Sequence, residues 1–284
     1  MIRSLLIAPA NRPDLVAKFH RFGADCNVID LEDGTPSSEK ELARASLNNT
    51  IAIARDANTT GLLMVRVNIP SSPHYLEDIE AAFACDIDGV VVPKLETTDQ
   101  LYPANKWIEL LDKKSPRAQP RFIIGGIESV TGVLNAVKIS AEALHLSAIY
   151  FGAEDYSSDI GGRRTSRGDE VHVARSMVVM AAKAAGLTAI DQVVIDIRND
   201  ELFKEDAGRA RDLGYNGKTC LTPGQVELAN VAFSPSEEEI LYAKRLVSAY
   251  EDSMSQGIGT IDFEGKMVDL PLLKRAQSLL SARR

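Results

Sequence analysis

The chain alternates between short apolar runs and longer segments of mixed polarity, from its first residues to about residue 233. Eight apolar runs have the length of buried strands, and most are followed by apolar residues at helical spacing. The alternation, without a long hairpin signal, predicts an α/β fold, a (β/α)8 TIM barrel. An open doubly wound sheet is the alternative, weakened by the lack of a Gly-x-Gly-x-x-Gly motif after the first strand. The predicted strands are 4–10, 26–31, 61–68, 89–94, 121–128, 148–155, 188–194 and 217–221.

Beyond the eighth strand the pattern changes, and we expect two domains: a barrel catalytic domain, 1–233, and a C-terminal helix and lid segment, 234–284. Ser236 and the three glutamates after it are typical of a helix start, and we expect this helix to reach about Met254. A short helix is expected after Pro271. The segment holds too little apolar material for a core of its own, so we expect it to pack on the barrel or on another subunit.

Composition excludes some partners. The 284 residues carry a net charge of −8, which argues against nucleic acid or an anionic membrane as the main partner. No apolar stretch reaches membrane-spanning length. The three cysteines show no metal-binding spacing and indicate buried, reduced thiols. Since the first residues lead directly into a strand, leaving no room for a signal peptide, we expect a cytoplasmic protein.

Polar residues end or follow the predicted strands. In a barrel they would converge on one rim, which favours an active site there. Glu128 and Asp155 come from two such strand ends, and paired carboxylates form an oxygen site suited to Mg²⁺. The alternative is that each carboxylate pairs with an arginine or lysine across the rim. The residues at this rim are Arg12, Glu32, Arg66, Lys94, Glu128, Asp155 and Thr222.

The basic residues of this rim allow several roles. Arg66 and Arg12 could hold a substrate carboxylate or a phosphate through the guanidinium fork. Lys18, six residues beyond Arg12, suggests a phosphate-bearing ligand, although on spacing alone a solvated lysine on the helix face is the better explanation. Lys94 could form a Schiff base, but a charge partner for the acidic cluster Asp30, Glu32 and Asp33 is the better hypothesis beside a metal site.

A series of motifs, in order from the first strand to the C-terminal segment, resembles the citrate lyase β-subunit family within the HpcH/HpaI aldolase superfamily. The match rests on the whole ordered set rather than on any single motif. The motifs are Arg3-Ser-Leu-Leu, Pro9-Ala-Asn-Arg-Pro, Gly23-Ala-Asp-Cys, Asp30-Leu-Glu-Asp, Val65-Arg-Val-Asn, Pro93-Lys94, Gly126-Ile-Glu-Ser, Phe151-Gly-Ala-Glu-Asp, Arg163-Arg-Thr, Ala174-Arg-Ser-Met and Gly265-Lys-Met-Val-Asp.

The resemblance implies a Mg²⁺-dependent lyase that cleaves a citryl, citramalyl or malyl thioester to a 2-oxoacid and an acetyl thioester. It places the metal on Glu128 and Asp155, with Glu128 also beside the substrate, and the substrate carboxylate on Arg66. It places the pantetheine arm of CoA or of an acyl-carrier protein near Arg12 and Lys18.

Asp269 matches the family's general acid/base, which often acts in a neighbouring subunit. The resemblance therefore also implies a homo-oligomer, by family a trimer, and the α and γ (acyl-carrier) subunits of citrate lyase as partners.

One residue departs from the pattern: Thr222 stands where many freestanding relatives have His and carrier-dependent ones have Asn. The choice between CoA and acyl-carrier protein therefore stays open. Two other functions also stay open, a malyl-CoA thioesterase on the same site and a non-catalytic subunit that binds an acyl thioester.

Overall fold

The computed structural model describes residues 2–281 and confirms the predicted (β/α)8 barrel. Eight parallel strands pair in chain order, and the last pairs with the first, so the sheet closes on itself. Closure rules out the open doubly wound sheet, which would leave two edge strands. The strands are β1 Ser4–Pro9, β2 Cys26–Asp30, β3 Leu62–Arg66, β4 Gly89–Val92, β5 Phe122–Ile127, β6 Leu146–Phe151, β7 Thr188–Asp191 and β8 Gly217–Cys220.

Helices follow the strands, and their apolar faces join the outer faces of the strands in one large buried cluster. Local caps mark several helix starts: Ser129 accepts a hydrogen bond from the backbone N–H of Gly132 at the start of the helix Val130–Glu142. Short 3-10 turns lie at Phe19–Arg21, Ser37–Glu39 and Thr98–Leu101. The helices of this part of the chain are α1 Pro13–Val16, α2 Lys40–Asp56, α3 Tyr75–Phe83, α4 Tyr102–Lys114, α5 Val130–Glu142, α6 Ala153–Asp159, α7 His172–Ala184, α8 Asp200–Leu213 and α9 Pro223–Ala232.

The sixth strand ends earlier than predicted. It stops at Phe151, and Asp155 lies in the first turn of α6 rather than on the strand. Gly152 ends the strand, and carboxylates are favoured in the first turn of a helix because its N-terminus carries partial positive charge. The helix α9, which the sequence analysis did not predict, begins directly after Thr222.

The barrel interior holds a second, smaller apolar cluster that includes Val28, Met64 and Tyr150. Side chains two positions apart on a strand lie on the same face. Asp30 and Arg66 therefore follow Val28 and Met64 on the interior face, at the C-terminal ends of their strands. The carboxyl ends of the strands thus place charged groups above an apolar floor.

A separate group of buried charges lies among β7, β8 and the helices packed on them. Arg175 donates to Asp191 with a distance of 2.7 Å from Nε to Oδ1, and Lys218 Nζ lies 2.6 Å from Asp191 and 2.5 Å from Asp206. Each of the four side chains is almost fully buried. Two cations balance two anions, which is the condition under which such burial is tolerated.

The chain divides into two compact units, Met1–Phe233 and Ser234–Arg284. The second unit contains two helices and an antiparallel hairpin, and the predicted helix start is confirmed: Ser236 and Glu239 form a capping box. The hairpin was not predicted. The elements are α10 Glu237–Ser255, β9 Ile261–Phe263, β10 Lys266–Val268 and α11 Leu270–Ser281.

The expectation that the C-terminal segment lacks a core of its own is wrong. Within the second unit, the side chains between α10, β10 and α11 form a small buried cluster. Pro271, in the first turn of α11, does not interrupt the helix because that position needs no N–H donor. The cluster consists of Ala243, Leu246, Tyr250, Val268, Leu273 and Ala276.

The three cysteines are free and buried, as predicted. Burial raises the pKa of the Cys26, Cys85 and Cys220 thiols, so all three remain protonated and unreactive. Within residues 2–281, no helix combines the length and the apolar character needed to cross a membrane.

Candidate functional site

Glu128 follows β5 and its carboxylate is held at one oxygen by two donors. The backbone N–H of Lys94 lies 3.0 Å from Oε1, and the hydroxyl of Tyr150 lies 2.6 Å from the same atom. The side chain is buried, at 5% exposure. Burial raises the pKa of Glu128 to about 7, although the Tyr150 hydrogen bond and the charge of Arg66 act in the opposite direction.

Lys94 follows β4 in the left-handed backbone region, with φ of 51°. This conformation is unusual for a lysine. Its Nζ lies 3.2 Å from Glu32, 3.5 Å from Asp33 and 3.2 Å from Asp155. Burial alone would lower the pKa of Lys94, but Glu32 and Asp155 outweigh it and raise the pKa. The predicted role as a charge partner is confirmed for Glu32 and Asp33, and a protonated amine disfavours Schiff-base chemistry.

Arg66 ends β3 and faces the end of β2. It binds Asp30 through a fork, with Nε 2.7 Å from Oδ1 and Nη2 2.6 Å from Oδ2. Its remaining nitrogen, Nη1, lies 3.2 Å from Glu32. Burial raises the pKa of the Glu32 carboxyl against the charge of Arg66. The Oε1 atom of Glu32 accepts no hydrogen bond. Its 3.2 Å contact with Lys94 Nζ is an ion pair without a hydrogen bond.

Asp155 is brought to the same place by the first turn of α6. Glu128, Asp155 and Lys94 line one cavity of about 410 Å³, so the two predicted metal ligands face a common space. In the described residues, no three His, Cys, Asp or Glu side chains gather closely enough to form a metal cluster by themselves. The candidate is therefore a carboxylate pair.

The donor set fits Mg²⁺. All donors of the pair are carboxylate oxygens, which this ion prefers, and it commonly takes only one or two protein carboxylates. The surrounding group carries five carboxylates (Asp30, Glu32, Asp33, Glu128 and Asp155), and the cations paired with it are Arg66 and Lys94. A divalent cation would offset this excess of negative charge.

Three other predicted residues lie on the first unit. Arg12 binds Asp14 through a fork, both distances being 2.8 Å, and both side chains are exposed. Lys18 is also exposed, but it follows α1 rather than lying on it, because the helix ends at Val16. Thr222 caps α9 through a 3.3 Å hydrogen bond from the backbone N–H of Gln225.

Asp269 belongs to the second unit, between β10 and α11, where its backbone carbonyl accepts a hydrogen bond from Leu273. Its side chain is half-buried.

The residues that shape the Glu128 site carry no clear signal in the sequence. Tyr150 lies within an apolar run and resembles an ordinary core residue of a strand. The one signal for its role is its position two residues after Ala148, which puts both side chains on the interior face of the barrel. A Cβ at Gly152 would lie within 2.4 Å of Glu128 Oε2, so no side chain fits there. The pairing of Asp30 with Arg66 follows from their register, since the two residues lie opposite each other on β2 and β3.

Comparison with known proteins shows the family to which the chain belongs. Residues 3–223 match the family described as HpcH/HpaI aldolase/citrate lyase. A citrate lyase subunit beta-like protein of Deinococcus radiodurans is 40% identical, with 99% of this chain and 97% of that protein covered. Human mitochondrial citramalyl-CoA lyase is 32% identical, with 98% of this chain and 84% of that protein covered.

A crystal structure of protein CitE from Mycobacterium tuberculosis, in complex with magnesium, acetoacetate and coenzyme A, superimposes with a TM-score of 0.79. It is 31% identical, and the match covers 98% of this chain and 96% of that chain. By motif order, fold and these relatives, the chain belongs to the HpcH/HpaI aldolase/citrate lyase family.

Proposed function

We infer that this protein is a Mg²⁺-dependent lyase that splits a 3-hydroxyacyl thioester into a 2-oxoacid and an acetyl thioester. The observation that carries the proposal is that Glu128 and Asp155 line one cavity at the carboxyl ends of the barrel strands. The relatives named citrate lyase and citramalyl-CoA lyase, and a related structure that contains magnesium and coenzyme A, support it.

Glu128 and Asp155 would hold the metal ion. When bound, Mg²⁺ would act as a Lewis acid toward the oxygens of the substrate and lower the pKa of its hydroxyl group. As general acid/base, the Asp269 carboxylate would take the hydroxyl proton while the adjacent C–C bond breaks and its electron pair moves onto the thioester as an enolate. The protonated Asp269 would then return that proton to the enolate carbon, which gives the acetyl thioester and restores the carboxylate.

Arg66 would hold the substrate carboxylate through the edge that now faces Glu32. Its other edge is taken by Asp30 in a fork, whereas the contact between Nη1 and Glu32 is longer, at 3.2 Å. A substrate carboxylate would therefore compete with Glu32 rather than with Asp30.

The charge of the cavity favours a substrate whose hydroxyl-bearing carbon carries hydrogen or methyl. The lining includes Glu96 and Asp159 besides the two metal candidates, and its cation is Lys94. Citryl thioesters would bring a second carboxylate into this space, and an unpaired charge is costly to desolvate. Malyl and citramalyl thioesters add no such charge.

The second unit would supply Asp269 to the site of a neighbouring copy, in a trimer. The carrier of the acyl group, CoA or an acyl-carrier protein, would lie toward Arg12 and Lys18, both exposed. If an acyl-carrier protein carries the acyl group, the partners of this protein would be the α and γ subunits of citrate lyase. If CoA carries the acyl group, the protein would be a freestanding enzyme.

The experiment that tests the function is product analysis with malyl-, citramalyl- and citryl-CoA in the presence of Mg²⁺. We expect glyoxylate or pyruvate together with acetyl-CoA, and little oxaloacetate from citryl-CoA. Free CoA without an oxoacid would identify a thioesterase. Binding without turnover, for CoA and carrier thioesters alike, would identify a non-catalytic subunit, and either result would overturn the proposal.

A further inference from the structure

The carboxylate of Glu128 is constrained on both sides. Oε1 receives two hydrogen bonds, from the Lys94 backbone at 3.0 Å and from the Tyr150 hydroxyl at 2.6 Å. On the other side, the missing side chain of Gly152 leaves space that Oε2 fills, since a Cβ there would lie 2.4 Å from it. The two oxygens of one carboxylate therefore meet different surroundings.

The hydroxyl of Tyr150 is placed there by the barrel itself. Tyr150 lies on β6 with its ring in the interior cluster, and β6 pairs directly with β5, which ends just before Glu128. Gly126 on β5 is also required, because a Cβ at that position would lie 2.4 Å from the Tyr150 oxygen. Neighbouring strands thus fix both the ring and the carboxylate that it contacts.

We propose that Tyr150 is a positioning residue: it holds Oε1 of Glu128 and so fixes the orientation of the carboxylate that would bind the metal ion. The proposal rests on the metal site proposed above and adds a residue that orients one of its ligands. Groups that hydrogen-bond to a metal-binding carboxylate fix its orientation, and losing one typically weakens metal binding about 10–100-fold. Tyr150 has no need to touch the substrate for this effect.

Another buried tyrosine offers a matched control. Tyr215 is 4% exposed, and its hydroxyl donates a 2.7 Å hydrogen bond to the backbone carbonyl of Arg175, away from the candidate site. Replacement of either tyrosine by phenylalanine removes one buried hydrogen bond and leaves the ring in place. A merely structural role for Tyr150 would give the two variants the same behaviour toward metal.

The test is a calorimetric titration of the full-length protein with Mg²⁺ alone, so it needs no substrate. We expect Tyr150→Phe to bind Mg²⁺ at least about tenfold more weakly than the unaltered protein, and Tyr215→Phe to bind within about twofold of it. At saturating Mg²⁺, kcat of Tyr150→Phe should recover most of its loss. Thermal unfolding should show that both variants are folded.

A second variant approaches the same carboxylate from the other side. Gly152→Ala would push a Cβ against Oε2 and should weaken Mg²⁺ binding, whereas Gly208→Ala in α8 meets nothing within 4 Å and should not. Unchanged affinity in Tyr150→Phe would overturn the proposal while leaving the metal site standing. Absence of Mg²⁺ binding in the unaltered protein would overturn the metal site and this proposal together.

Discussion

The guanidinium of Arg66 binds the carboxylate of Asp30 edge to edge, with distances of 2.7 and 2.6 Å, inside the mouth of the barrel. The two residues lie opposite each other on β3 and β2, so the pair is fixed by strand register. One edge of the arginine is thereby committed to the protein. Only the side toward Glu32 is left for a ligand.

We predict that Arg66→Lys lowers kcat/KM by at least about 30-fold, equivalent to about 2 kcal/mol, because a point charge cannot serve Asp30 and a ligand together. Arg44→Lys is the matched control, since Arg44 binds the buried carboxylate of Asp78 at 2.8 Å in another part of the barrel. Steady-state kinetics would measure both. A loss of less than about tenfold in Arg66→Ala would contradict the assignment.

Metal dependence is the second prediction. Glu128→Gln or Asp155→Asn should abolish turnover and Mg²⁺ binding with little change in the thermal unfolding midpoint, and EDTA should inactivate the enzyme reversibly. The control is Glu154→Gln. Glu154 precedes Asp155 in the sequence, and its carboxylate pairs with Arg164 at 2.9 Å. Full activity in EDTA, or borohydride trapping of substrate on Lys94, would refute the metal mechanism.

Acid should weaken the fold through the buried charges of β7 and β8. Burial alone would raise the pKa of Asp206, but Lys218 and Arg175 outweigh it and hold the pKa below its ordinary value. A lowered pKa stabilises the fold at pH values above the pKa that the same carboxyl has in the unfolded chain. This stability is lost as the pH falls toward the lower pKa of the folded state. The free energy of unfolding should therefore fall below about pH 5.

The variant Asp206→Asn should cost about 3–5 kcal/mol at pH 7, since it leaves buried cations short of a partner. The difference in free energy of unfolding between Asp206→Asn and the unaltered protein should become smaller as the pH is lowered. Asp169→Asn is the control, because the pair of Asp169 with Arg167 is exposed and should contribute less than about 1 kcal/mol. Urea denaturation at several pH values measures the free energy of unfolding of both variants. If the cost of Asp206→Asn did not change with pH, the predicted loss of stability in acid would be wrong.

The fourth prediction concerns Asp269. If it acts in the site of a neighbouring subunit, Glu128→Gln and Asp269→Asn are each inactive, but mixing them under conditions of subunit exchange should restore activity. Some sites would then contain an intact Glu128 and an intact Asp269. Exchange must be shown independently, for example with differently labelled subunits. No recovery despite exchange, or full activity in Asp269→Asn alone, would reject the shared site.

Most of the strand and helix order could be predicted from the sequence because each element carries its own apolar period, and the count of eight strands favoured a closed barrel over an open sheet. Most contacts between elements could not be predicted, although the pairing of Lys94 with Glu32 and Asp33 was. The register that joins Asp30 to Arg66, the left-handed backbone of Lys94 and the Tyr150 hydroxyl on Glu128 depend on neighbours distant in the chain. The buried network of Arg175 and Lys218 was missed for the same reason.

The three buried, unreactive thiols have a practical consequence for spectroscopy. A cysteine introduced on the surface would be the site that takes up a spin label or a fluorophore, with no need to remove a native cysteine first. One label on α10 and another on α2 of the barrel would give a distance in solution. Labels on the same chain and on different chains would yield different distance distributions, from which the partner barrel of each C-terminal unit could be determined.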